Sequence, residues 1–388
     1  MTERIYADHA ATTPVRNEVI ASMLPYLATY GFNPSSLHAE GRAARAALDA
    51  ARDTVAALLG AKPREIVFTA GGSEADTLAV VGGARAARGR GRNVVTSAIE
   101  HHAVLHAMDL LRDEGFEVTV LGVDASGRID PEAFEAALRP ETVLASVMLA
   151  NNELGTIQPI AQLARAARSR GIVFHTDAVQ APGRVPFGVE SLGVDLLSLS
   201  AHKFYGPKGV GALYVRAGTP LGPLIVGGGQ EHGLRAGTEN VAGIVGFARA
   251  LELAIIEMPA EARRLARLRD RFEAELAPLP GIRINGRGGS RLPNVASVAF
   301  AGIDIPTFLV RLDLEGVAVS AGSACAAGST EPSHVMAALD VEPWVRQGTI
   351  RFSFGKLTRE QDVERLVKML PVVLSAVRNG QGDVEGRS

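Results

Sequence analysis

The chain has 388 residues, of which 47% are hydrophobic and 21% charged; that balance excludes a mainly disordered polymer and supports a large core without cross-links. Lys and Arg number 40 against 42 Asp and Glu, a formal net charge of −2, so no basic excess speaks for nucleic acid and no acidic tail for a charged partner. The single cysteine excludes an internal disulfide and fits a reducing cytoplasm.

At about 150 residues per domain, the length suggests two domains or three. The start, Met1 to His9, lacks a basic n-region and an apolar h-region, and the most apolar runs, 143–150 and 196–199, have strand length. A soluble cytoplasmic protein with no membrane partner is expected.

From about residue 66 to 215, β-rich runs alternate with helical patterns. Strands are predicted over 65–69, 93–97, 117–121, 143–148, 172–175, 195–200 and 211–215, with amphipathic segments at 73–88, 102–114, 131–138 and 160–170 between them. Several of these strands are continuously apolar, as strands covered on both faces are. The pattern predicts an α/β domain around a mainly parallel sheet.

Chemistry-bearing residues gather where these runs end. Thr69-Ala-Gly-Gly-Ser73-Glu-Ala-Asp76 joins the first strand to a helix. Ser73 there either caps the helix or joins its free N–H groups in an anion seat. The stretch is neither a Walker loop nor a GxGxxG fingerprint, which speaks against a nucleotide-binding dehydrogenase. Glu100, His101, His102 and His106 follow the second strand. His102 and His106 have a helical spacing that zinc can use, but no further ligand set accompanies them, and ring stacking or acid–base work by one histidine is the better reading. Phe174-His-Thr-Asp177-Ala-Val-Gln180 ends the fifth strand, where Asp177 is either a helix cap or the partner of a protonated ring nitrogen; ligands of open α/β sheets collect at such carboxyl ends. Ser198-Leu-Ser200-Ala-His202-Lys203 ends the sixth. A lysine there is either solvated or held beside apolar residues, which lowers its pKa and frees the amine for a Schiff base. Anion seat, carboxylate and lysine at successive strand ends are together the set a pyridoxal phosphate site requires.

The C-terminal third reads differently. A charged helix over 260–276, with 252–276 as a hinge, precedes a Gly/Arg/Ser-rich turn at 285–291, a strand over 296–300, a helix over 306–315, the loop around Cys325 and a closing helix from 358. This is a smaller α+β domain, and the polar tail 379–388 is expected to fray. Cys325 lies among Gly, Ser and Ala from Ser320 to Thr330; it is either a small buried hydrophobe or a thiol carried on a mobile loop. Arg351, in Thr349-Ile-Arg351-Phe-Ser-Phe-Gly355, either forms a structural ion pair or captures a carboxylate.

Together these stretches resemble the cysteine desulfurases of the NifS/IscS kind, fold-type I pyridoxal phosphate enzymes. The resemblance runs from Tyr6-Ala-Asp-His-Ala-Ala-Thr-Thr-Pro14 through Asn33-Pro-Ser-Ser36, Asn151-Asn-Glu-Leu-Gly155, the Asp177 and Lys203 motifs and Arg235-Ala-Gly-Thr238 to Arg351. Ser323-Ala-Cys325 followed by Glu331-Pro-Ser-His334 resembles the longer-loop group I of that family. The resemblance implies a fold-type I transferase, with a large α/β domain over 15–255 built on a mainly parallel seven-stranded sheet. Residues 1–14 and 256–388 would form the small α+β domain that carries the cysteine loop. It further implies pyridoxal 5'-phosphate as cofactor, L-cysteine as substrate, and alanine and a persulfide on Cys325 as products. A homodimer is implied, and so is a sulfur-acceptor protein such as an iron–sulfur scaffold, for cluster assembly, thio-cofactors or tRNA thiolation.

By the same resemblance, Lys203 would hold the cofactor and move the Cα proton, Asp177 would pair with the pyridine nitrogen, and Gln180 would contact the ring hydroxyl. His101 would stack on the ring and help proton transfer. Gly72, Ser73, Ser200 and His202 would hold the phosphate, and Thr238 would reach the phosphate of the neighbouring subunit. Asn152 would border cofactor and substrate, sharing the substrate carboxylate with Arg351. Cys325 would be the nucleophile and, transiently, an iron–sulfur ligand shared with a scaffold. The chain departs from the family at Phe32, which alters the expected substrate mouth, at the Gly72-Ser73 pair, and at Ala321. Rival readings are a selenocysteine lyase, an aminotransferase, or a sulfur-carrier component without turnover; the last predicts loss of Lys203 or Asp177, and both are present.

Overall fold

The computed structural model describes residues 4–322 and 332–385, the side chains of 379–385 excepted. Its strands are β1 (Ile5–Tyr6), β2 (Ile66–Thr69), β3 (Asn93–Ser97), β4 (Glu117–Leu121), β5 (Thr142–Ser146), β6 (Val173–Asp177), β7 (Leu196–Ser200), β8 (Gly211–Val215), β9 (Ile282–Ile284), β10 (Val295–Phe300), β11 (Val317–Ala318) and β12 (Thr349–Ser353). β2 to β8 form one seven-stranded sheet in the order β2-β8-β7-β6-β5-β3-β4. From β7 to β4 every neighbour is parallel, and β8 runs antiparallel between β7 and β2. The predicted strands at 93–97, 117–121 and 211–215 have these bounds, and the others shift by a residue or two at one end or both.

Helices cover both faces, which is why β3, β5, β6 and β7 are buried along their whole length and show no simple apolar–polar alternation. The helix Ile160–Ser169 buries Ile160, Leu163, Ala164 and Ala167, the stripe that a 3.6-residue period places on one side. The helical segment expected over 73–88 is interrupted: Gly72–Thr77 passes through a π turn at Leu78–Gly82 into Gly83–Ala87. Parallel strands bring their carboxyl ends to one edge, and β2, antiparallel to an antiparallel strand, points the same way. The ends of β2, β3, β5, β6 and β7 therefore converge.

A second core lies on the antiparallel sheet β12-β10-β9. Phe272, Phe300, Phe308, Phe352 and Phe354 are fully enclosed there, with Phe272 4.8 Å from Phe352 and Phe300 5.1 Å from Phe308 between ring centroids. β1 pairs in parallel with β11, so Ile5 and Ala7 belong to this core.

Several sequence expectations are corrected. Residues 252–276 are not a hinge but part of one helix, Val241–Leu276, which contains Pro259. Its first half packs Ile244, Phe247 and Leu251 on the large core, and its second packs Leu265, Leu268, Phe272 and Leu276 on the small one. That burial outweighs the roughly 3 kcal/mol an interior proline costs a helix. The closing helix, Glu360–Glu385, continues through most of the tail expected to fray. Two helices before β2, Asn17–Ala28 and Ala39–Leu59, carry no sequence prediction. Among the described residues, no helix is long and apolar enough to cross a membrane.

Candidate active site

The converging strand ends surround a cavity of about 260 Å³. Gly72, Ser73 and Asp76 reach it from the segment after β2, His101 from β3, Asn152 from β5, Asp177 and Gln180 from β6, and Ser200, His202 and Lys203 from β7. Ala10 and Ala11 close one side and Arg351, on β12, another. Every expected site residue lines this cavity except two. Thr238 is exposed and stands elsewhere, and Cys325 lies outside the described residues.

Lys203 Nζ donates to the carbonyls of Ala10 and Ala11 at 2.9 and 2.8 Å. Burial, reinforced by the nearby guanidinium groups of Arg351 and Arg184, pulls its pKa down to about 8. Near neutrality it holds a fraction of free amine that a solvated lysine lacks. Arg184 is itself buried and fixes this corner, donating to the Lys203 carbonyl at 3.0 Å and to Gln180 Oε1 at 2.8 Å. Gln180 in turn donates from Nε2 to the Ala10 carbonyl at 3.0 Å.

Asp177 is 7% exposed, and its Oδ1 accepts from the Val179 N–H at 2.9 Å. Burial pushes its pKa up to about 6 against that bond and the charge of Lys203, so a cation placed beside it would be strongly favoured. His101 caps the helix His102–Asp113, its Nδ1 accepting from Ala103 N–H at 3.1 Å. With Nδ1 an acceptor, the proton of the neutral ring sits on Nε2. Burial and the charge of Lys203 pull its pKa down to about 4, so the ring is neutral.

The residues expected to hold a phosphate meet where β2 and β7 end. A Cβ on Gly72 would stand 3.1 Å from Val179 Cγ2 and 3.2 Å from Ser200 Cβ, so glycine lets the backbone come this close. Ser73 is not the helix cap that the sequence allowed. The cap position falls on Gly71, which places Ser73 inside the first turn. His202 Nδ1 lies 3.0 Å from Thr12 Oγ1, and burial and Lys203 hold its pKa down at about 4.

Arg351 is 1% exposed. It donates from Nη2 to Asp8 Oδ1 at 2.8 Å and from Nη1 to the Asn152 carbonyl at 3.1 Å, while its Nε has no partner. Both sequence readings of this arginine therefore meet in one side chain: it has an ion pair and keeps a free donor. The described ends of the segment that carries Cys325 attach here. Ser320 and Arg351 exchange backbone hydrogen bonds at 2.7 and 3.3 Å, and Ser333 Oγ donates to Glu153 Oε2 at 2.6 Å.

Some site residues have no role in the sequence reading. Asp76 lines the cavity and His175 lies two residues before Asp177 on β6; both fall within the sequence motifs without a role of their own there. The two-residue strand period puts His175 and Asp177 on one face, which is the sequence signal for His175. Glu100 is wholly enclosed; the Ser97 hydroxyl and the Met148 N–H donate to its Oε1, and its Oε2 has no partner. The histidine pair of the weak metal reading lies beside a third ring, with centroids 5.3 Å apart for His102–His106 and 4.5 Å for His102–His334. Among the described residues, no group of three or more His, Cys, Asp or Glu could hold a metal ion.

The sequence pattern of the aminotransferase class-V family matches residues 5–366. The chain is 49% identical over 97% of its length to a protein named cysteine desulfurase IscS from Dictyoglomus turgidum, of which it covers 96%. It is 46% identical over 97% of its length to another of that name from Methanosarcina thermophila, covering 93% of it. Among solved structures it is similar to a NifS-like protein, with a TM-score of 0.90 and 40% identity over 96% of this chain and 99% of that one. It is also similar to SspA in complex with cysteine, with a TM-score of 0.80 and 40% identity over 90% of this chain and 98% of that one.

Proposed function

The chain belongs to the class-V aminotransferase family, among its cysteine desulfurases, and on that premise we propose how its own residues bind pyridoxal 5'-phosphate and L-cysteine and move sulfur to Cys325. The observation that carries the reading is the meeting of Lys203, Asp177 and Arg351 on one cavity. The cavity fits the cofactor: Asp177 is a buried carboxylate that gains from a cation, and Gly72 leaves a cradle that a Cβ would crowd.

Asp177 would hold the protonated ring nitrogen and Gln180 the ring hydroxyl, with His101 against the ring. Gly72, Ser73, Ser200 and His202 would hold the phosphate. When bound, pyridoxal phosphate supplies an electron sink that lets the Cβ–Sγ bond of cysteine break. Lys203, desolvated and partly neutral near pH 7, would anchor the cofactor and then hold and move the proton of the substrate Cα. The unpartnered Arg351 Nε and the neighbouring Asn152 would orient the substrate carboxylate. Cys325, as thiolate, would attack the substrate sulfur: an S–S bond forms, the Cβ–S bond breaks, a proton returns to Cβ, and alanine leaves. Anchoring of the Ser320 and Ser333 ends beside Arg351 and Glu153 supports this placement.

The persulfide would pass to an acceptor protein such as an iron–sulfur scaffold, where Cys325 would serve transiently as a cluster ligand. We place the domain division at 15–255 and 1–14 with 256–388, and infer a homodimer in which Thr238 serves the neighbouring site. An exposed apolar row supports the dimer: Ile20, Leu24 and Leu27 on one helix, continued by Tyr30, Phe32 and Leu37. Phe32 falls within this row, which gives the departure from the family a place at the proposed interface.

The test is an absorption spectrum before and after L-cysteine, with alanine assayed and a Cys325→Ser control. A visible band that shifts with cysteine, alanine release, and a persulfide lost in Cys325→Ser are expected. Pyruvate or a keto acid in place of alanine would move the reading to an aminotransferase. A protein that cannot be reconstituted with pyridoxal phosphate would overturn it.

A further inference from the structure

Asp76 lies on the wall of the same cavity as Asp177, yet no step of the reaction above uses it. It is 2% exposed, and its Oδ1 has no hydrogen-bond partner. The nearest ring is His175, whose Nε2 stands 3.6 Å away. That imidazole is enclosed and engaged on both sides, with Nδ1 2.8 Å from Ser146 Oγ and Nε2 2.9 Å from Ser198 Oγ. Burial pulls its pKa down to about 3, so it is neutral and offers Asp76 no counter-charge. The other titratable neighbours acting on Asp76 are Asp177 and Glu100, both acids.

Two buried carboxyl groups that act on each other do not both ionise. The donors decide which one keeps the proton. Asp177 accepts the Val179 N–H and feels the charge of Lys203; Asp76 keeps its Oδ1 without a partner, and burial and Asp177, joined by Glu100, oppose its ionisation and outweigh the Ser198 hydroxyl that favours it.

We propose that Asp76 is a positioning residue for the desulfurase site: a carboxylic acid kept neutral beside Asp177, leaving the cavity floor one negative charge and one additional hydrogen-bond donor. A single charge matches a single protonated ring nitrogen, whereas two would overcharge the floor. The inference rests on the cofactor reading for its purpose but not for its test.

The test is infrared difference spectroscopy on the cofactor-free protein at about pH 7, in light and heavy water, comparing wild type with Asp76→Asn and with Glu100→Gln as a reference. Loss in Asp76→Asn of a carboxylic-acid carbonyl band, distinct from the one removed by Glu100→Gln, is expected. Loss of ionised-carboxylate bands instead would overturn the proposal. Should Asp76→Asn fail to fold, spectra of Glu100→Gln decide alone: an acid carbonyl band remaining at about pH 8, where Asp177 is ionised, supports the proposal, and its absence overturns it. In reconstituted protein, Asp76→Asn keeps the pH midpoint of the visible band. Asp76→Leu, which lacks the donor, shifts that midpoint and weakens cofactor binding about 3- to 10-fold, the worth of one hydrogen bond. A midpoint displaced in Asp76→Asn as far as in Asp76→Leu would count against it. Failure of every variant and of wild type to take up pyridoxal phosphate would overturn the functional reading, with the infrared result still deciding the state of Asp76.

Discussion

Glu100 illustrates how a single enclosed group reports its environment. Burial pushes its pKa up from the usual 4.5 to about 8, against hydrogen bonds from Ser97 and Met148. Between those two values the folded chain keeps a proton that the unfolded chain releases. Its contribution to stability is therefore full below about 4.5 and is lost as pH rises through about 8. Glu100→Gln should flatten the decline; urea midpoints at about pH 5 and about pH 8 should separate in wild type and converge in the variant. Gly355 makes a second prediction at this scale. A Cβ there would overlap the buried His9 ring, which lies 4.8 Å from Tyr6 and bonds through Nδ1 to the Ser353 carbonyl. His9 precedes Ala10 and Ala11, whose carbonyls accept from Lys203. Gly355→Ala should cost about 1–3 kcal/mol as overpacking, read by denaturant titration, and should also alter the titration of Lys203.

At the scale of elements, the segment leading to Thr238 is held by one buried ion pair. Glu231 and His232 adopt φ of 47° and 59°, a left-handed backbone that non-glycine residues reach only under constraint. The constraint is visible: Arg52 donates to both carboxylate oxygens of Glu231 at 2.8 and 2.7 Å, and the Phe68 N–H adds a third bond at 2.8 Å. Helix Ala39–Leu59, strand β2 and the loop are thus pinned at one point. Arg52→Ala leaves a buried carboxylate without its cation and should cost about 3–5 kcal/mol, measured by urea unfolding. The Val241–Leu276 helix shows the opposite balance at this scale, since two separate apolar stretches keep it continuous through a residue that locally breaks helices.

For the whole molecule, the prediction concerns assembly. Leu24 and Leu27 are 58% and 65% exposed on the Asn17–Ala28 helix, and Leu37 beyond it is 89% exposed. Apolar area on this scale is stabilised by a partner surface. The double substitution Leu24→Glu with Leu27→Glu should produce a monomer in sedimentation velocity while far-ultraviolet circular dichroism remains unchanged, because neither residue belongs to a core. If Thr238 serves the neighbouring site, the monomer should also lose cofactor affinity although its own cavity is intact. A monomer with unaltered affinity would place Thr238 outside the site.

Much of this architecture is legible in the sequence for local reasons. β3, β4 and β8 are short runs centred on residues with strand preference, Val94-Val95-Thr96, Val118-Thr119-Val120 and Leu213-Tyr214-Val215, and such local preferences survive folding. Asp177 and Lys203 stand at strand ends because the parallel pattern itself announces where strands end. Other features depend on residues far apart in the chain. Arg351 meets Asp8 and Asn152 only after β12 has packed across the cavity, and no spacing in the sequence encodes that approach. The long helix hid behind Pro259 because its stability comes from two cores that form elsewhere. The protonation of Glu100, Asp76 and Asp177 is likewise set by burial, which segments distant in sequence supply together. The sequence by itself thus determined the strand–helix alternation and the residue types at each strand end; the tertiary structure alone decided which of them are buried around one cavity, because desolvation and charge coupling act through space and not along the chain.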